Sequence, residues 1–123
     1  MTYLGQNIKK LGFGLMRLPM IGDDVDIEQT KQMVDLFLSK GFTYFDTAYG
    51  YHGGQSELFV GRALKKYPRD SFFLASKMPI WCVKEKGDVE RIFNEQLQRC
   101  QTDYFDFYLF HSQNAANFQK CQE

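Results

Sequence analysis

Three short apolar runs each give way to an ionisable side chain. Phe42-Thr43-Tyr44-Phe45 stops at Asp46, Ser71-Phe72-Phe73-Leu74-Ala75-Ser76 stops at Lys77, and the run from Tyr104 to Phe110 stops at His111. A phenol, Tyr51, comes five residues after Asp46. If the three runs are neighbouring parallel strands, their carboxyl ends share one rim, where α/β proteins carry their chemistry. A lysine beside Asp46 gains a charge partner, and its ammonium favours the ionised form of a nearby phenol. Such tuning matters because a phenol with an ordinary pKa of about 10 exchanges protons poorly near neutrality. Each residue alone also has a plain structural role: turn, solvated lysine, backbone-bonded histidine or surface aromatic. Three strand ends in register are what point to a site.

The elements that must position these groups repeat as strand then helix. Strand starts near residues 11, 42, 72 and 105 are 31, 30 and 33 residues apart, the period of βαβ units with parallel strands. Leu11-Gly12-Phe13-Gly14 reads as the first strand, and residues 15–19 as a loop that Pro19 closes. Asp26 caps a first helix with Gln29 at its third position and Gly41 beyond its last periodic residues. Ile27, Thr30, Met33, Val34, Phe37 and Leu38 fall mostly on one face as its apolar stripe. Ser56 is placed to cap a second helix over residues 57–66, with Glu57 complementing the helix dipole. Gly61 inside that helix costs about 1 kcal/mol against alanine unless close packing compensates. Asp88 caps a third helix, on which Val89, Ile92, Phe93, Leu97 and Cys100 share a face. Residues 115–123 look helical, and residues 2–4 and 8–10 around Gly5-Gln6-Asn7 read as a hairpin before the main body. On period alone, a barrel and a small open sheet of flavodoxin or thioredoxin type both stay open.

Composition narrows the function classes. The chain has 123 residues, the length of one domain and short of the roughly 250 of a complete (β/α)8 barrel. It is 44% hydrophobic with twelve phenylalanines, ample material for a core. Fifteen basic and fifteen acidic side chains give zero net charge, which argues against nucleic acid as a partner. No apolar run is long enough to span a bilayer, and the first residues lack a signal-peptide layout. Cys82, Cys100 and Cys121 are odd in number and widely spaced, which suits a reduced, cytoplasmic chain and gives no finger-like metal spacing with His52 and His111.

Phe45-Asp46-Thr47-Ala48-Tyr49-Gly50-Tyr51 resembles the D-x-A-x-x-Y signature of the aldo/keto reductase family. Ser56-Glu57 and Gly61-Arg62-Ala63-Leu64 are similar to the family's continuation of that signature, which includes a G-x-A-L run. Ala75-Ser76-Lys77-Met78-Pro79 resembles the strand bearing the family lysine. Residues 103–111, Asp103-Tyr104-Phe105-Asp106-Phe107-Tyr108-Leu109-Phe110-His111, resemble the strand bearing the family histidine. Residues 11–19, from Leu11 to Pro19, look like the first strand and loop of members that carry an added C-terminal iron–sulfur segment, although the cysteine spacing of such a segment is absent.

The resemblance implies an α/β fold: the first half of a (β/α)8 TIM barrel with an N-terminal β-hairpin, about four βα units with the last helix cut. It implies that Tyr51 is a general acid, that Lys77 and Asp46 tune it, and that His111 orients a carbonyl. The implied activity is reduction of small aldehydes or ketones by hydride from NADPH, with NADH not excluded. Gly14, Leu15, Met16 and Asp46 are the implied contacts at the nicotinamide end, and Trp81 and Met78 candidate substrate contacts. Tyr49 is a rival phenol, but the family spacing favours Tyr51. Most of the cofactor site would lie on later strands, so the isolated chain is expected to be weak or inactive and its natural product longer. The alternative is a non-enzymatic half-barrel that self-associates or docks with another chain through open strand edges.

Overall fold

The computed structural model describes residues 7–116 and Phe118. Four strands form one parallel sheet: β1 (Gly12–Gly14), β4 (Tyr44–Asp46), β5 (Phe73–Met78) and β6 (Phe107–Phe110), hydrogen-bonded in that order. Between them run α1 (Ile27–Ser39), α2 (Ser56–Leu64) and α3 (Lys86–Arg99). Strand order therefore matches chain order, the arrangement of successive βα units in a barrel. β1 and β6 lie at its two edges. A two-stranded antiparallel ribbon, β2 (Met20–Ile21) with β3 (Asp24–Val25), interrupts the loop after β1 and turns through Gly22 at φ +62°. Sequence pattern gives no hint of this ribbon, because two-residue strands leave no periodic signal.

The expected N-terminal hairpin has its first arm, residues 2–4, outside the described residues. Its second arm, residues 8–10, is bend and irregular chain rather than strand. The helix expected over residues 115–123 lies mostly outside the described residues as well.

The pleat divides the sheet into two faces. Phe45 and Leu74 are in register, and both point towards the helices. There they join Leu15, Val34, Val60, Ala63, Leu64 and Phe72 in the core. Phe13, Phe37 and Phe45 have ring centroids 5.3 to 5.6 Å apart. Phe45 is fully buried, which for such a ring stabilises by about 1.5–3 kcal/mol. On the opposite face Tyr44 and Phe107, from strands two apart, meet at 5.5 Å across the fully buried Ala75 strand. That offset between alternate strands is how barrel interiors stack their side chains in layers.

Local signals hold unevenly. Asp26 does cap α1, its Oδ1 accepting from the Gln29 N–H at 3.1 Å, and Gly41 lies beyond the helix end at φ +87°. Ser56 is the first residue of α2 rather than its cap. Its hydroxyl is buried against Leu15 O at 2.9 Å and Thr47 Oγ1 at 2.8 Å. Asp88 sits at the third position of α3, not before it, and its carboxylate reaches back to the N–H groups of Lys84 and Glu85. Gly61 has the close packing it needs: a Cβ there would stand 2.7 Å from Arg99 O and 2.9 Å from the Cys100 carbonyl carbon. The α2 and α3 backbones meet at this glycine.

Gly61→Ala is accordingly expected to destabilise. The helix-propensity gain of about 1 kcal/mol is outweighed by a backbone clash of about 1–3 kcal/mol. Urea denaturation checks it, and an unchanged or higher midpoint would show that the two helices can separate without loss.

Candidate active site

β4 and β5 place an acid and an amine on the same face. Asp46 lies opposite Ala75 in the register, so Lys77, two residues further, emerges above it on the same side. Lys77 Nζ donates to both carboxylate oxygens of Asp46, at 3.0 and 2.9 Å, and to Thr47 O at 2.7 Å. Those three acceptors account for all three ammonium protons. The residue is only 9% exposed, which demands such pairing, because an unpartnered buried ammonium is very costly.

Tyr51 stands on the tight loop after β4. Lys77 Nζ lies 4.9 Å from the centroid of its ring, so the cation acts on the phenol through space rather than by donating to it. His52, Gly53 and Gly54 are all left-handed, at φ +53°, +64° and +93°. A non-glycine residue in that region costs of order 1 kcal/mol, which neighbouring contacts must offset. One such contact is His52 Nε2, which accepts from the Leu18 N–H at 3.0 Å.

His111 comes directly after β6, its N–H bonded to Met78 O. Its ring meets Tyr51 edge-on with centroids 5.7 Å apart, and Trp81 at 5.1 Å. Burial, then the Lys77 charge, hold its pKa below the ordinary histidine value, while Asp46 opposes. The neutral imidazole has one donor and one acceptor. Its Nδ1 is buried with no hydrogen-bond partner, an orphan of the kind that functional pockets retain.

The structure thus brings Asp46, Tyr51, Lys77, His111 and Trp81 together, Trp81 being half-exposed in a turn after β5. Gly14 is exposed at the end of β1, paired with Asp46, with nothing within 4 Å of where a Cβ would be. Met16 is half-exposed on the loop after it. Leu15 differs from expectation: its side chain is fully buried in the core, its N–H goes to Asp46 O and its carbonyl to Ser56. Met78 differs too. The strand's alternation turns it to the helix side, where it packs with Ile80 and Ile92 at 2% exposure. Tyr49 is excluded as rival phenol by direction, since its hydroxyl donates to Glu95 Oε2 at 3.0 Å. Burial and that bond push its pKa up. Among the described residues no group of three or more His, Cys, Asp or Glu side chains is placed to hold a metal.

A polar network behind the site escapes sequence reading. Glu57, fully buried, accepts from Ser76 Oγ at 2.8 Å, Gln96 Nε2 at 2.9 Å and Arg99 Nη1 at 3.3 Å. Gln96 Nε2 also donates to Lys77 O at 2.8 Å, and Tyr108 donates its hydroxyl proton to Gln96 Oε1. Burial raises the Glu57 pKa, against the lowering effects of Ser76, Arg99 and Gln96. The one available signal is Gln96 standing on the apolar side of α3.

Residues 10–117 match the model of the aldo/keto reductase family. Among curated proteins, a probable aldo-keto reductase of Glycine max is 35% identical over 116 residues, covering 87% of this chain and 34% of that protein. The NADH-specific methylglyoxal reductase of Escherichia coli strain K12 is 32% identical over 95 residues, covering 63% of this chain and 29% of that protein. Among solved structures, the aldo-keto reductase of Klebsiella pneumoniae in complex with NADPH superposes with a TM-score of 0.75 at 30% identity. The match covers 87% of this chain and 36% of that one. The chain spans about a third of the length of these relatives.

The lowered His111 pKa makes a pH prediction. Its folded value lies below the ordinary 6.5, so the unfolded chain takes up the proton first. Stability is then lost as pH falls from about 6.5 through the folded value. Denaturation midpoints between about pH 8 and 5.5 should drop less in His111→Gln than in the wild type. Glu57 contributes equally to both and cancels. Parallel pH dependences would show that the ring is not held neutral.

Proposed function

The chain belongs to the aldo/keto reductase family, and from that premise we propose that its strand-end rim performs carbonyl reduction at the expense of a nicotinamide cofactor. The observation that carries the reading is the juxtaposition of the Lys77–Asp46 pair with the rings of Tyr51 and His111. Tyr51 is the general acid that gives its hydroxyl proton to the carbonyl oxygen as negative charge develops there. The Lys77 ammonium, held in place by Asp46 and Thr47 O, faces the phenol ring and stabilises the charge left on it. Neutral His111 orients the carbonyl through a ring nitrogen, and Trp81 forms the half-exposed wall beside it.

Gly14, Asp46 and Met16 would hold the nicotinamide end, and the lack of a side chain on Gly14 leaves that strand end open to a flat ring. When bound, the cofactor supplies the hydride. We take it to be NADPH, the cofactor in the Klebsiella pneumoniae complex, with NADH the alternative that the Escherichia coli protein's name raises. The substrate is a small aldehyde or ketone. The 123 residues alone turn over weakly or not at all, because four strands leave the barrel half built and a third of a relative's length carries few cofactor contacts.

In a version extended by the later half of a relative's barrel, Tyr51→Phe and Lys77→Met are each expected to lower carbonyl reduction by about 10²–10⁴-fold, with cofactor affinity nearly unchanged. Steady-state assays and fluorescence titration with NADPH separate the two effects. Equal losses in both would contradict the proton-transfer role. For the isolated chain, steady reduction of a test aldehyde that disappears in Tyr51→Phe would disprove the inactivity.

A second reading has its own observation. The outer edges of β1 and β6 carry no strand partner among the described residues, and Leu109 and Phe110 on β6 are half-exposed. Such edges pair with other chains, so the isolated chain is expected to self-associate. Light scattering giving a clean monomer with no exposed-apolar dye binding would dismiss this.

A further inference from the structure

The loop bearing Tyr51 contains three successive left-handed residues, 52–54; glycine adopts that conformation readily at 53 and 54, but His52 does so only at a cost that contacts must offset. Something outside must fix it. The Arg99 guanidinium, at the end of α3, bonds to the loop before Tyr51 and lies beside it after Tyr51. Before it, Nη1 donates to Tyr49 O at 3.2 Å, and the group lies 4.3 Å from the centroid of the Tyr49 ring. After it, the guanidinium lies beside Gly54, where an added Cβ would just reach van der Waals distance of the same Nη1, at 3.4 Å.

Arg99 is itself held from behind. Nη1 also donates to the fully buried Glu57, and Nη2 to Glu95 Oε1 at 2.7 Å. Gly61 lets the α3 end approach α2 closely enough for this, its missing Cβ lying 2.7 Å from Arg99 O. The planar fork, with donors fixed in direction, serves a backbone carbonyl and two separate carboxylates at once.

We propose that Arg99, backed by Glu57, is a positioning residue for Tyr51. It clamps residues 49–54 so that the phenol stands against Lys77 and His111. That the clamped phenol is the proton donor rests on the function proposed above; the clamp itself is testable without turnover.

The test uses the full chain and two variants. Arg99→Lys keeps a charge opposite Glu57 but loses the fork. In Arg99→Met with Glu57→Gln no buried carboxylate is left unpaired, should the first fail to fold. Amide exchange reads the clamp at Tyr51 and Gln55, whose N–H groups bond within the loop to Ala48 O and His52 O. Exchange there should speed up by about tenfold or more, while the sheet amides of Phe73 and Asp106 change little. The His111 Cε1–H resonance, shifted by the edge-on Tyr51 ring, should move as well, although Arg99 itself bonds to other groups. Unchanged loop exchange, exchange that rises equally across the sheet, or a stationary His111 resonance would each overturn the proposal. Loss of turnover in Tyr51→Phe without these changes bears on the reaction alone.

Discussion

A lysine that is nearly enclosed constrains everything around it. The Lys77 ammonium cannot be buried unless acceptors surround it, and it finds them in Asp46 and Thr47 O, one strand away. The pair therefore fixes the register of β4 against β5. A slip of one residue would turn Lys77 into the apolar layer and bring Met78 or Ser76 to the rim. Because Thr47 N in turn donates to Ala75 O, the strand end and the ion pair reinforce one position. Tyr51 and His111 stand near a cation whose place is already determined, and Trp81 packs against His111.

The reverse side of β5 uses direction in the same way. Ser76, one residue from Lys77, points to the helices and meets the buried Glu57 carboxylate. One strand thus carries a buried cation on one face and supports a buried anion on the other. Gln96 links the two layers, donating to Glu57 and to Lys77 O. With Arg99 reaching Tyr49 O, α2, α3, β5 and the loop after β4 form one hydrogen-bonded unit. Removing a member of such a unit leaves an unsatisfied group in a place of low polarity, so its effect exceeds that of one bond.

Much of this is legible from residue types. The spacing of the strand starts yields the parallel order, and Asp46, Lys77 and His111 announce themselves as polar residues ending apolar runs. Asp26 meets the rule for a helix cap because its surroundings are exposed and local chemistry decides there. Ser56 and Asp88 depart from the rule for different reasons. Tertiary acceptors at Leu15 and Thr47 capture the Ser56 hydroxyl, and Asp88 makes its cap from inside the helix. Leu15 and Met78 stand next to site residues in sequence, yet the alternation of extended chain sends them to the core. Glu57 reads as a dipole-complementing acid; its pairing with Arg99 depends on the meeting of α2 and α3 at Gly61, which no single segment encodes.

The division of labour between the two sheet faces also separates chemistry from closure. Phe45 and Leu74 satisfy the helix side within these four units, and the four polar groups of the rim find one another without help from later strands. The other face is less covered among the described residues: Tyr44 and Phe107 meet across Ala75, but Leu109 beyond them stays half-exposed. A barrel interior is filled by side chains from alternate strands all the way round, so two such strands supply half of each layer. The convergence of these four groups is therefore a local property of neighbouring βα units. What more strands would add to such a sheet is a closed, dry interior, and that is not needed to bring an acid, an amine, a phenol and an imidazole to one rim.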